Sequence, residues 1–259
     1  MGATELLERY AAGKRNFCGI FLSRTHLNYT NLSHANLRRA TLIDVNLSDA
    51  NLSFVNLSDA NLTGANLTGS CLLNCMIDEA KELDSKWHLV WKILNQGATA
   101  QKLNRADLRN ADLRGANLSL AYLRSADLRN SNLSRAQLNG ADLSGAKLSN
   151  ANLSNTNLSF ANLRVANLSD ANLSGANLSN SDLRSAKLEG AILQKANLSD
   201  ANLWAANLWK ANLSGANVDR TLFGYNSELS LERRVDLIRR GAFFEEFIAN
   251  RSLIPITEK

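Results

Sequence analysis

The residue types that most often carry chemistry, cysteine and histidine, are few and scattered in this chain. They are Cys18, Cys71, Cys75, His26, His34 and His88. A metal site or an activated thiol needs several such side chains to converge, so a redox or metal enzyme would have to depend on Cys71, Cys75 or His34. The sequence contains no phosphate loop, dinucleotide fingerprint or nucleophile elbow. We therefore expect no enzymatic activity, no cofactor and no metal ion.

Residues suited to binding are more numerous than residues suited to catalysis. Six arginines form a candidate basic stripe, namely Arg105, Arg109, Arg124, Arg129, Arg164 and Arg184. Six apolar or aromatic residues are candidates for contact with a protein partner, namely Leu120, Phe160, Trp87, Trp91, Trp204 and Trp209. Basic stripes attract nucleic acid or acidic proteins, and exposed apolar clusters mark contact surfaces. Which of these residues act together depends on the element that positions them.

A repeat of five residues runs through most of the chain. A large apolar residue returns at every fifth position from Phe17 to Ile77, which makes 13 repeats, and again from Leu103 to Phe223, which makes 25. A small residue, usually alanine, stands two positions before it, and asparagine or aspartate usually stands between the two. The repeating unit reads Ala-(Asn/Asp)-Leu-x-x.

A period of five fits neither a helix nor one straight strand. Five residues advance about 500° around an α-helix, so the leucines would form no stripe, and on a strand they would alternate between the two faces. An extended Ala-x-Leu triplet followed by a two-residue turn instead brings each leucine to the same inner side. The repeat therefore predicts a solenoid, filled by alanine and leucine, whose turns hydrogen-bond at about 4.8 Å spacing. This argument leaves three or four sides open.

The repeats resemble those of pentapeptide repeat proteins, a family abundant in cyanobacteria. The resemblance holds residue for residue in runs such as Ala171-Asn172-Leu173-Ser174-Gly175-Ala176-Asn177-Leu178. It implies an all-β fold, the right-handed quadrilateral β-helix, with four pentapeptides in each coil and residues of successive coils stacked on one face. It implies no single function, because family members have unrelated roles. Some dimerise, and some cyanobacterial members influence cell differentiation by binding a transcription regulator.

The sequence divides into five segments. We predict an N-terminal helical cap (1–14), a first pentapeptide-repeat block (15–78), a helical insertion (79–100), a second block (101–224) and a C-terminal helical cap (225–259). In the insertion, Asp84 or Ser85 caps a helix that Gly97 ends. The apolar residues on one face of this helix are Trp87, Val90, Trp91 and Leu94. Two interpretations stay open, because the tryptophans either pack on the repeat blocks or are presented to a partner.

Both ends of the solenoid need covers, because an open coil exposes strand edges. Leu6, Leu7 and Tyr10 predict a short helix over the first coil. At the other end, two helices separated by Gly241 are predicted from two apolar sets. These sets are Leu231, Val235 and Ile238, and then Phe243, Phe244, Phe247 and Ile248. Two interpretations stay open for the C-terminal region. It covers the last coil, including Trp204 and Trp209, or its apolar surface also forms a homodimer.

The charge balance limits the candidate partners. The chain has formal net charge +5 and a pI near 9.2, and residues 102–223 contain 14 basic and 9 acidic residues. An acidic rod that imitates DNA and binds a topoisomerase, as in the quinolone-resistance members of the family, should be strongly negative, so the charge argues against that role. Asp107, Asp112 and Asp127 lie among the arginines. The stripe is therefore either a binding site or an ordinary solvated wall.

These observations predict a non-enzymatic, rigid solenoid that mediates protein–protein interaction in a regulatory setting. Three cysteines make no disulfide framework, and no secretory signal or membrane-length apolar run is present. We therefore expect a cytoplasmic protein with a protein partner and without a membrane partner. The alternative is a nucleic-acid-related protein, whose binding should weaken steeply with salt and on Arg124→Glu with Arg129→Glu.

Overall fold

The computed structural model describes residues 2–78, 80, 82–226 and 228–245, which form two compact units. Unit 1 comprises Met1–Ala98, Asp107–Asn117 and Ser131–Leu133, and unit 2 comprises Thr99–Ala106, Leu118–Asn130 and Ser134–Lys259. The helices and strands are α1 (Ala3–Ala11), α2 (Ser85–Gln96), β1 (Leu222–Phe223), α3 (Leu231–Arg239) and β2 (Phe243–Phe244). None of the helices among the described residues is long and apolar enough to cross a membrane.

The repeats of both units coil with four pentapeptides to the turn. Parallel bridges join residues 20 apart, such as Asn31 with Asn51 in unit 1 and Asn152 with Asn172 in unit 2. Twenty residues are four repeats of five, so the fold is the predicted right-handed quadrilateral β-helix. The number of sides, which the residue pattern had left open, is therefore four.

Each repeat makes one side of a coil and the turn that follows it. The N–H of the central leucine donates to a carbonyl of the next coil, as from Leu143 to Asn162 (2.8 Å), and the following alanine N–H closes the turn, as from Ala146 to Leu143 (2.9 Å). The polar residue before the leucine accepts from the second N–H after it, as Asp142 Oδ1 does from Ser144 (3.1 Å). This bond explains why asparagine and aspartate fill that position. The last residue of the unit, which we call the corner residue, has positive φ in repeat after repeat.

The interior of the coils is filled by the central leucines and the small residues, nearly all of which are fully buried. Burial of each leucine side chain contributes about 2 kcal/mol. At several positions where a hydroxyl residue replaces the alanine, its side chain donates to the carbonyl of the preceding leucine. Examples are Ser70 with Leu67 (2.8 Å) and Ser181 with Leu178 (2.6 Å). These bonds satisfy the polar atoms that enter the core.

Helix α2 forms as predicted and packs against the repeats of unit 1. Asp84 caps it by accepting from the N–H of Lys86 (2.8 Å), and Gly97 follows its last turn with φ of 74°. Trp87 is buried, and Trp91 Nε1 donates to the carbonyl of Cys75 at 2.6 Å. Both tryptophans pack on the repeats of unit 1. This corrects the interpretation of Trp87 and Trp91 as residues presented to a partner.

The second repeat block begins earlier than residue 101, the start predicted from the leucines. Ala98 takes the place of a central leucine, because its N–H donates to the carbonyl of Asn117 at 2.8 Å and its side chain is buried. The leucine pattern did not reveal this repeat, because position 98 is alanine and the pattern requires a large apolar residue there. In unit 1 the N–H of Gly69 donates to the carbonyl of Asn110 at 2.8 Å. A repeat before the insertion is therefore hydrogen-bonded directly to a repeat after it.

Helix α1 and the C-terminal elements meet the coils at their respective ends. Leu6 of α1 is fully buried, and the Tyr10 hydroxyl donates to the carbonyl of Ser33 at 2.9 Å. In α3, Leu237 is the buried residue. The Arg233 side chain covers an open coil edge by donating to the carbonyl of Ala211 at 2.6 Å.

The C-terminal region is described up to residue 245, and two of its features bear on the prediction. The predicted apolar stripe of α3 is exposed, namely Leu231, Val235 and Ile238. Phe243 and Phe244, which were predicted to be helical, instead form β2 and pair in parallel with β1. An unpaired coil edge offers N–H and C=O groups that an added strand satisfies. The predicted positions Phe247 and Ile248 lie outside the described residues.

Candidate functional site

The cysteines and histidines do not assemble into a reactive centre. Cys75 is buried, and burial raises the pKa of its thiol to about 12 because the thiolate would lose its solvation. Cys18 is exposed, and the His34 ring stacks on that of Phe54 with centroids 4.7 Å apart. Among the described residues, no three His, Cys, Asp or Glu side chains are grouped to hold a metal ion.

Four of the six arginines of the candidate basic stripe make ion pairs within the protein. Three of these arginines each hold the aspartate two residues earlier in an Asp-Leu-Arg triplet. The pairs are Arg109 with Asp107 (2.8 Å), Arg129 with Asp127 (2.6 Å) and Arg184 with Asp182 (2.6 Å). In an extended triplet the first and third side chains point to the same side, here outward, so the repeat itself brings the two charges together.

The ion pairs shift the titration of the aspartates. The hydrogen bond from Arg109 lowers the pKa of Asp107 to about 2, and that from Arg129 lowers the pKa of Asp127. Burial opposes ionisation of Asp182, but the hydrogen bonds from Arg184 outweigh it, so its pKa is also lowered. These carboxylates stay charged and neutralise their arginines. The stripe is therefore not a continuous line of available positive charge.

The other three arginines, Arg105, Arg124 and Arg164, are exposed. Arg124 lies 3.9 Å from Asp142, measured from Nε to Oδ2, and its side chain is 68% exposed. Arg124 and Arg164 occupy the same place in repeats two coils apart, on one wall of unit 2. That wall also carries exposed apolar side chains.

A shallow groove crosses this wall. Its three adjacent segments are residues 120–125, 140–145 and 160–165, linked by backbone bonds such as Leu123 to Asp142 (2.7 Å). The middle segment has glycine at both corners, Gly140 and Gly145, whereas both neighbouring segments have larger corner residues. An open depression of about 500 Å³ lies at the Gly145 end of the middle segment, between Arg124 and Arg164, whereas the Leu120 side chain covers the Gly140 end. We call this surface, residues 120–125, 140–145 and 160–165, the groove.

Three corner residues of the groove are large, apolar and exposed. Leu120, Phe160 and Val165 are 55%, 68% and 59% exposed, with φ of 58°, 60° and 58°. Left-handed backbone costs a residue with a side chain about 1–2 kcal/mol, and it is most unusual for a β-branched residue such as valine. Glycine or asparagine would fit these corners better. Stability therefore does not explain why large apolar residues occupy them.

The tryptophans of the last coil differ from one another. Trp204 is half-buried against Tyr225, with ring centroids 5.2 Å apart. Trp209 is 48% exposed, and the Lys210 ammonium lies 4.0 Å from its ring centroid. The described part of the C-terminal region thus covers Trp204 in part and leaves Trp209 in contact with solvent.

The structure brings Leu120, Phe160, Arg124 and Arg164 together, although they had been predicted as two separate sets. Sequence reasoning had placed Gly140 between Leu120 and Phe160 on one face, but it missed Val165 and Gly145 at the other corner. Aligning the segments 120–125, 140–145 and 160–165 shows that the middle one has glycine at both corners and that its neighbours have larger corner side chains. That comparison uses the 20-residue period, which the family resemblance implied and the bridges between residues 20 apart confirm.

Comparison with known proteins gives one family and several related folds. The family model for pentapeptide repeats matches in 8 copies, at residues 15–44, 46–81, 102–136, 131–170, 161–200 and 196–221. No curated protein gave a significant match.

Among solved structures, the chain is similar to HetL from Nostoc sp. strain PCC 7120, a pentapeptide repeat protein involved in heterocyst differentiation regulation. The identity is 36% over 84% of this chain and 97% of that one, with a TM-score of 0.39. A pentapeptide repeat protein from the Arabidopsis thaliana thylakoid lumen is 32% identical over 44% of this chain and 80% of that one, with a TM-score of 0.42. QnrB1, a plasmid-mediated fluoroquinolone resistance protein, is 19% identical over 89% and 95%, with a TM-score of 0.39.

Proposed function

The chain belongs to the pentapeptide repeat family, and from this premise we propose that it is a non-enzymatic scaffold that binds another protein through a side wall of its β-helix. Members of this family are generally structural or interaction scaffolds. The leucine-filled coils supply a fixed frame on which outward side chains are held at regular spacing. A binding surface on such a frame loses little conformational freedom when a partner docks.

One observation carries this proposal. Leu120, Phe160 and Val165 are exposed, apolar and held in left-handed backbone on one wall. Burial against a partner would remove their apolar surface from water, a gain that offsets the backbone cost. A surface shaped only by solubility and stability would carry asparagine or glycine at these corners, as many other repeats of the chain do.

Nucleic-acid binding is the less favoured function. Arg109, Arg129 and Arg184 are paired with aspartates of their own triplets, so they would have to break these pairs to reach phosphates. The formal net charge of +5 also opposes imitation of DNA. A regulatory setting and a cytoplasmic location stay predictions, as does homodimerisation through the exposed apolar stripe of α3.

Affinity capture from a lysate of the native host, with and without nuclease, tests this function. The recovered protein is then purified and titrated against the wild-type chain at low and high salt. We expect a nuclease-resistant partner whose complex re-forms from the two pure components. Recovery of nuclease-sensitive material alone, or failure of every recovered protein to bind in pure form, would overturn the proposal.

A further inference from the structure

We propose that the groove binds an extended, acidic segment of a partner protein that inserts at least one large apolar side chain. This inference rests on the proposed function and adds to it the surface and the chemistry of the partner segment. It is carried by the shape of the groove, by its charge and by its apolar corners, all of which lie within unit 2.

The shape suits a single extended chain. The segments 120–125 and 160–165 are two strand spacings apart, which is about 10 Å, and the segment between them has no side chain at either corner. Its outward side chains are Asp142 and Ser144; Ser144 is much shorter than Arg124 and Arg164 beside it, and Asp142 is shorter than Tyr122 and equal in length to Asn162. A polypeptide laid along this segment would sit between two raised borders. Its side chains would reach the corners at each end.

The charge suits a carboxylate. Arg124 stands on one border and Arg164 stands on the other. Between them lies a single carboxylate, Asp142, which already accepts from Asn162 Nδ2 at 3.0 Å and from the Ser144 N–H at 3.1 Å. Arg124 Nε also lies 3.9 Å from Asp142 Oδ2, so two guanidinium groups share one carboxylate and the groove carries an excess of one positive charge. A guanidinium binds a carboxylate through two parallel hydrogen bonds, which also fixes its orientation.

The apolar residues provide the anchor sites. Leu120 and Phe160 border one end of the groove, and Val165 borders the other. The Leu120 side chain leans over Gly140, since its Cδ2 atom is 2.6 Å from where a Cβ atom would stand there. Protein interfaces draw most of their binding energy from a few aromatic and arginine side chains that become desolvated. The groove combines both types.

The same residues favour a peptide over a nucleic acid. Strong binding to a phosphate backbone uses roughly 6–10 phosphate contacts, whereas the groove offers two arginines. Beyond this pair, Arg105 is an exposed corner residue and Arg184 is held by Asp182 at 2.6 Å, so at most three arginines are available along the wall. Contact with charged phosphate groups would also not bury the apolar side chains at the corners, so these side chains would add no binding free energy.

A displayed library of random peptides, selected on the immobilised full-length chain, provides the probe. Enriched peptides are synthesised and titrated against the wild type and two groove variants, Arg124→Glu with Arg164→Glu, and Leu120→Asp with Phe160→Asp. The control variant, Arg135→Glu with Lys195→Glu, makes the same charge change at exposed corners of a different wall. Aspartate tolerates left-handed backbone, and circular dichroism with thermal melting verifies that each variant is folded. A DNA duplex is titrated in parallel.

We expect enriched peptides to combine Asp or Glu with a large apolar residue, and each groove variant to weaken binding at least about tenfold. The control should change it less than about twofold. No enrichment, equal binding by the groove variants, or binding of the duplex alone would each overturn the inference. If the captured partner of the scaffold experiment binds the groove variants as well as the wild type, the scaffold function stands and the groove assignment fails. If no partner exists, both fail.

Discussion

Leu120 lies across Gly140 of the next coil, with its Cδ2 atom 2.6 Å from the position that a Cβ atom would occupy there. Gly145, at the other corner of the same segment, has the same φ of 66°, and its nearest neighbour, Ser125 Oγ, is 3.5 Å from the corresponding point. The two glycines therefore share one backbone requirement and differ in the contact above them.

This difference gives a matched pair of substitutions. Gly145→Ala should lower the free energy of unfolding by about 1 kcal/mol, because alanine resists left-handed backbone. Gly140→Ala should lower it by that amount plus about 1 kcal/mol more, because the new methyl group displaces Leu120. Urea denaturation of the two variants measures both values. Equal losses would mean that Leu120 moves away at no cost.

Val165 is the corner residue with the least favourable backbone, with φ of 58° on a β-branched side chain. Val165→Asn should raise the free energy of unfolding by about 1 kcal/mol, because asparagine accepts this conformation. The control is Ser185→Asn, one coil further along the same wall with φ of 56°, where we expect a change within about 0.5 kcal/mol. Thermal and urea denaturation check both. A loss of stability in Val165→Asn would show that the valine is retained for packing.

Trp91 ties helix α2 to the repeats through its bond to the carbonyl of Cys75. Trp91→Phe keeps an aromatic ring and removes the donor, so the free energy of unfolding should fall by about 1–2 kcal/mol. Lys92→Ala, which changes an exposed neighbour on the same helix, should alter it by less than about 0.5 kcal/mol. Chemical denaturation followed by tryptophan fluorescence distinguishes the two. Similar effects would argue against a docked helix.

The aspartates of the Asp-Leu-Arg triplets make the free energy of unfolding depend on pH in the acidic range. Asp107, Asp127 and Asp182 have lowered pKa values in the folded state, so the unfolded chain binds more protons in acid. The stabilisation they provide is fully present above the ordinary aspartate pKa of about 4 and is lost as the pH falls toward about 2, the folded value for Asp107.

Replacing all three aspartates with asparagine tests this dependence. Asparagine keeps the oxygen that accepts the backbone N–H and removes the charge, so the variant should lose less stability than the wild type between about pH 4 and about pH 2. Near neutral pH the variant should be less stable by up to about 1 kcal/mol for each pair. Urea denaturation across this pH range provides the comparison. Parallel curves would contradict the assignment.

The cysteines should differ in reactivity. Cys18 is exposed, whereas Cys75 is buried with its pKa raised to about 12, so very little of its thiolate forms at neutral pH. In the folded protein, iodoacetamide should modify Cys75 at least about tenfold more slowly than Cys18, and unfolding in urea should remove the difference. Mass spectrometry of the peptides follows both rates. Rapid modification of Cys75 in the folded state would mean that the coil opens there.

Much of the fold was predictable from the sequence, because the buried leucine and the turn of each repeat are determined by residues within that repeat. The spacing of Leu143 from Leu138 and Leu148 defines the inner side, and Asp142 closes its turn with a bond two residues away. The prediction failed where that local signal was weak or replaced. Ala98 carries the repeat without a leucine, and Phe243 joins the sheet because an open coil edge lies beside it, which no local pattern reports.

The sequence by itself determined the solenoid, the two repeat blocks, the inserted helix and the types of residue on the walls, since all of these follow from interactions within a few residues along the chain. Only the tertiary structure decided which side chains act together. Stacking of the coils puts Arg124 and Arg164, 40 residues apart, on either side of one short segment, and it sets Leu120 over Gly140. The physical reason is that the hydrogen-bond ladder between coils, and not the turn within a repeat, fixes what lies beside each outward side chain.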